Sequence, residues 1–131
     1  MPGNANRQPR ISPFLSSGVI LFVGDKDEPS RLRSAALTRA GYDVLAAFTA
    51  EEALLELART MVGVVVLGHH INRGERLRIE EAVTRLRPRP RIILLYQASI
   101  AEAQLADAVL NVNGEPRDLV RTVQYLLTGE C

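Results

Sequence analysis

From Gly18 onward, short apolar runs rich in β-branched residues alternate with longer amphipathic stretches, and no other feature restricts the fold as strongly. The first run, VILFV at 19–23, and the third, VGVVVL at 62–67, show no polar alternation. Strands covered on both faces have that character. Three further runs read as strands: 42–47, 92–96 (IILLY) and 108–112 (AVLNV). Strands separated by amphipathic segments imply an α/β chain with a doubly wound parallel sheet and helices on both sides.

Helix signals fall between the runs. Asp27, Glu28 and Pro29 open a helix reaching about Ala40, with acid at its positive end and proline early, and Gly41 stops it. Thr49 and Glu52 are spaced as a capping box for a second helix ending near Thr60, with Leu54, Leu57 and Ala58 as its inward stripe. A loop over 68–74 precedes a helix over 76–87, with Leu77, Ala82, Val83 and Leu86 on one face and Pro88 and Pro90 ending it. A closing helix over 116–127 carries Leu119, Val120, Val123, Leu126 and Leu127 inward.

The remaining residues bound the function classes. A length of 131 residues, 47% hydrophobic, suits one domain over 18–131, preceded by a flexible tail over 1–17 mixing Pro, Gly, Asn, Ser and Arg. A net charge of +1 gives no global field toward nucleic acid or a membrane surface. No apolar run approaches the roughly 18 residues of a membrane span. The single cysteine, Cys131, excludes an internal disulfide and a cysteine-based metal cluster, and the cytoplasm is the expected location. Cys131 has no basic neighbour closer in sequence than Arg121 to make its thiol reactive. All basic residues except Lys26 are arginines.

The strand VILFVGD, the helix end Ala40-Gly41-Tyr42 and the helix entry TAEEAL, set within five β/α units, resemble the receiver domain of bacterial response regulators over about residues 18 to 128. The resemblance implies a flavodoxin-like sheet of order 2-1-3-4-5, with the site beyond the carboxyl ends of strands one and three. A working receiver places two acidic residues after its first strand to hold magnesium, because a hard cation takes carboxylate oxygens. It ends its third strand in a nucleophilic aspartate. A hydroxyl after the fourth strand and a lysine after the fifth contact the phosphoryl group.

Here the matching positions are Gly24 and Asp25, Gly68, Tyr96 and Val112. No carboxylate lies between Glu56 and Glu75, the ring of Tyr96 is too long for the hydroxyl role, and the only lysine is elsewhere. The resemblance therefore implies a degenerate receiver, not an enzyme, that acts through a protein partner: another receiver, a kinase, an output domain or a second copy of itself. Only 11 residues separate Tyr96 from Ala108, so the fourth helix is expected to be short, about 100–106.

Other readings stay open at this level. Asp25 or Asp27 could accept a phosphoryl group with Mg2+ in a shifted register, or the two could hold a divalent cation weakly without other cofactor. Gly24 and Gly68 could cradle the phosphate of a flavin or nucleotide at the switch point between strands one and three, or admit another small ligand. His69 and His70 read as a loop pair, since no cysteine or nearby carboxylate completes a ligand set. Arg85, Arg87, Arg89 and Arg91 read as a solvated helix end, with a phosphate-contacting patch as the alternative and nucleic acid disfavoured.

Overall fold

A computed structural model describes residues 18–96 and 105–129. Five strands, β1 (Val19–Val23), β2 (Asp43–Ala47), β3 (Val64–Leu67), β4 (Arg91–Tyr96) and β5 (Ala108–Asn111), form one parallel sheet of order β2-β1-β3-β4-β5. Four helices are described: α1 (Glu28–Arg39), α2 (Ala50–Arg59), α3 (Arg73–Thr84) and α4 (Pro116–Thr128). The 1–17 tail, Cys131 and most of the short crossover helix expected over 100–106 lie outside the described residues; Leu105 and Ala106 are in a turn and a coil.

β1 and β3 are apolar at every position, and β4 from Ile92 to Leu95, because alternate side chains enter different core layers. Leu21, Val23, Val65, Leu67, Ile92 and Leu94 pack with Leu57, Ile79 and Val83 on the α2 and α3 side. Ile20, Phe22, Val64, Val66, Ile93 and Leu95 pack with Leu37, Leu119, Val123 and Leu127 on the α1 and α4 side. Val23 pairs with both Ala47 and Leu67, so the carboxyl ends of β1, β2 and β3 are level, and β4 runs two residues beyond Leu94, the partner of Leu67. The loops after β1 and β3 therefore emerge side by side.

Helix starts follow their capping chemistry. Asp27 and Thr49 cap α1 and α2 through Ser30 N and Glu52 N, and Gly41, at φ 103°, takes the left-handed turn after α1. At α3 the structure departs from the sequence expectation. The helix begins at Arg73 rather than Arg76, because Asn72 and Glu75 form a reciprocal capping box, and it ends at Thr84.

The buried stripes also differ from the expected ones. On α3, Leu77 is exposed, and the stripe runs through Arg76, Ile79, Glu80 and Val83. A charged pair occupies the inward face, with Arg76 Nε 3.7 Å from Glu80 Oε2, so an apolar pattern alone misplaces the phase. On α2 the buried set is Ala50, Ala53 and Leu57, and Ala58 turns outward.

Candidate functional site

The ends of β1 and β3 enclose a cleft of about 140 Å³ lined by Gly24, Asp25, Asp27, Gly68, His69 and Arg33, among others. Sheet pairing continues one residue beyond the strands. The Gly24 N–H donates to Ala47 O at 3.0 Å, and the Gly68 N–H donates to Val23 O at 2.7 Å. Both glycines are buried.

A Cβ at either glycine would force its surroundings to shift. A Cβ on Gly68 would lie 2.9 Å from the Val23 carbonyl oxygen and 3.1 Å from His70 Nδ1. A Cβ on Gly24 would lie 2.4 Å from Phe22 Cε1 and 3.1 Å from Ser30 Oγ. The Phe22 ring thus occupies the space over position 24.

The two acidic residues of the first loop are differently engaged. Asp25 is exposed, and among the described residues its carboxylate accepts only the adjacent Lys26 N–H at 2.8 Å. Asp27 accepts the Ser30 N–H at 3.0 Å as the cap of α1. The Ser30 hydroxyl and N–H hold the Asp27 carboxyl below the usual carboxylate range, aided by the charges of Arg33 and His69. Among the described residues no group of three or more His, Cys, Asp or Glu side chains is placed to hold a metal.

The structure also brings in a cation that sequence reasoning passed over. Arg33, on α1, is 7% exposed and donates through Nη2 to the carbonyl of Val112, the first residue after β5. Val112 itself is held by its N–H to Tyr96 O at 2.8 Å. Burial lowers the Arg33 pKa, and the Asp27 charge opposes that shift. The signal was available: Arg33 sits four residues before buried Leu37, on the inward stripe of α1.

His69 and His70, exposed on the loop after β3, both border this cleft, whereas Tyr96 is half-buried at the end of β4 and does not line it. The arginine run is largely taken up within the molecule. Arg89 and Arg91 meet Asp107 at 2.8 and 3.5 Å, Arg85 meets Glu81 at 3.5 Å, and Arg87 donates to backbone carbonyls of Thr84 and Leu86.

Solved structures share the fold. A response regulator signal receiver domain from Bermanella marisrubri superposes with a TM-score of 0.75 at 18% identity, covering 86% of this chain and all of that one. The chain has the receiver fold. A CheY-like receiver domain protein from Methanospirillum hungatei JF-1 gives 0.67 at 17% identity, covering 85% and 95% of the two chains. The signal receiver domain of a signal transduction histidine kinase from Syntrophus aciditrophicus gives 0.69 at 18%, covering 86% and 92%. No protein-family model matches the sequence, and no curated protein sequence matches it.

Gly24, Asp25, Gly68, Tyr96 and Val112 stand at or just beyond the carboxyl ends of β1, β3, β4 and β5. Among the described residues no helix is long and apolar enough to cross a membrane.

Proposed function

We propose that this chain is a pseudo-receiver: a non-catalytic signalling module that works by docking to a protein of a two-component pathway in the cytoplasm. The observation that carries the reading is the Gly68 contact. The end of β3 lacks a carboxylate, and the Val23 carbonyl stands 2.9 Å from where any side chain there would start. A phosphoryl group transferred to a receiver needs that carboxylate oxygen as its nucleophile.

A magnesium ion does not fit this donor set. Asp27 is engaged as the cap of α1, Gly24 and Gly68 contribute no oxygen-bearing side chain, and Asp25 alone is a weak anchor for a hard cation. The buried guanidinium of Arg33 supplies fixed positive charge beside the cleft instead. Its tie to Val112 links α1 to the chain leaving β5, so the conformation that docks is held without phosphorylation. Partner classes consistent with the fold are another receiver, a histidine kinase or an output domain.

The test is incubation with Mg2+ and acetyl phosphate followed by intact-mass measurement. The mass is expected to stay unchanged. A stoichiometric gain of one phosphoryl group would overturn the reading and direct attention to Asp25 or Asp27.

A further inference from the structure

On the α1 side of the sheet, next to the edge strand β2, small residues leave a gap that the core does not fill. Phe22 of β1 pairs in register with Ala46 of β2, and both border a cleft of about 470 Å³. Ser30 and Ser34, one turn apart on α1, form the facing wall, and Phe48 closes the end. The volume lies within the range of small-molecule sites, roughly 300–1,000 Å³. This cleft is displaced from the β1–β3 switch point toward β2.

The polar groups at its rim are of one dominant sign. Lys26 and Arg31 line it, and among the described residues neither has a carboxylate partner. The Lys26 ammonium lies 4.9 Å from the centroid of the Phe48 ring, which is 38% exposed. Lone cations beside an exposed aromatic face suit a flat, anionic guest, with the ring supplying stacking area and the cations fixing the acid group. Asp25 also lines the cleft, so two positive charges are offset by one negative. That balance favours a single negative charge over a polyphosphate.

We propose that the cleft between α1 and the end of β2 binds a small aromatic monoanion, one or two fused rings bearing one carboxylate. The rings lie between Phe48 and the Phe22–Ala46 floor, and the carboxylate meets Lys26 and Arg31. Ser34 supplies a hydroxyl on the α1 wall. Because Phe22, Gly24, Asp25 and Ser30 border both clefts, an occupant here shares a wall with the end of β1. The proposal does not depend on the phosphorylation state of the chain.

Titration of the 15N-labelled protein with 1-naphthoate, and in parallel with the neutral 1-naphthalenemethanol, tests it. Saturable amide shifts are expected at Gly24, Lys26, Ser34, Ala46 and Phe48, with weaker binding of the alcohol. Ser34→Leu, which fills the cleft, should abolish the shifts. Arg31→Glu, at an exposed position and so compatible with folding, should weaken naphthoate binding about fivefold while leaving the alcohol unaffected. Absence of saturable shifts, shifts centred elsewhere, equal affinity for acid and alcohol, or indifference to Arg31→Glu would each overturn the assignment.

Discussion

Gly68 and Val23 are joined by a 2.7 Å hydrogen bond from the Gly68 N–H to the Val23 carbonyl, and that same oxygen lies 2.9 Å from where a Cβ on Gly68 would stand, so a side chain there requires the backbone to shift. The glycine at position 68 is therefore packed into the end of the sheet. Gly68→Asp is expected to leave the protein unphosphorylated by acetyl phosphate and to destabilise it by about 1–3 kcal/mol, the usual cost of forcing atoms into a packed site. Urea unfolding and intact mass read the two effects separately. A stable, phosphorylated Gly68→Asp variant would show that the closure yields easily.

A second steric relationship sits beside the first. Gly24→Asp places its Cβ against the Phe22 ring, so it should be destabilising alone and relieved when Phe22→Val is added. Positive coupling between the two substitutions in a double-mutant cycle is the expected result. Simple additivity would indicate that the ring swings away unaided.

Arg33 ties α1 to Val112, and cutting that tie leaves a partly buried carbonyl without its donor. Arg33→Met, which keeps the aliphatic stem, should cost about 1–3 kcal/mol in chemical denaturation. Arg33→Lys should recover only part of this, since an ammonium lacks the reach and fork of a guanidinium. Full recovery by lysine would assign the effect to charge alone.

The capping box of α3 gives a local measurement. Asn72→Ala removes the acceptor for Glu75 N and should lower stability by about 1 kcal/mol, seen as a lower thermal midpoint, with Asn72→Asp close to the parent. An unchanged midpoint in the alanine variant would place the helix start elsewhere.

Two carboxyls give opposite pH dependences. Burial raises the Glu80 pKa, with the Arg76 charge opposing. The folded state then binds the proton more tightly than the unfolded one, so stability falls as pH rises from the ordinary glutamate range through the raised folded value. Asp27 is shifted down, so its contribution is present above the unfolded aspartate range and is lost as pH falls through the depressed folded value. Unfolding midpoints against pH should flatten at the upper window in Glu80→Gln and at the lower one in Asp27→Asn. A parallel displacement of either curve would contradict the assignment.

Much of the fold was readable before any coordinates because its signals are local or periodic. Continuous apolar runs at 19–23 and 62–67 mark strands buried on both faces, and Thr49 with Glu52, or Asp27 ahead of Pro29, mark helix starts through hydrogen bonds only a few residues long. α3 was misplaced because Asn72 and Glu75 follow a glycine and two histidines that read as loop, and because Arg76 and Glu80 occupy inward positions that a hydrophobic pattern leaves unassigned.

The sequence by itself determined which groups are present: a glycine at position 68 and no lysine after β5, since residue identity needs no geometry. Only the tertiary structure decided what surrounds those positions. The closure of position 68 by Val23, the ring of Phe22 over Gly24, and the reach of Arg33 to Val112, 79 residues along the chain, depend on strand ends lying level in one sheet and α1 packing across it. Those are contacts between segments distant in the chain, fixed by sheet register and helix packing, and a linear pattern holds no record of their distances.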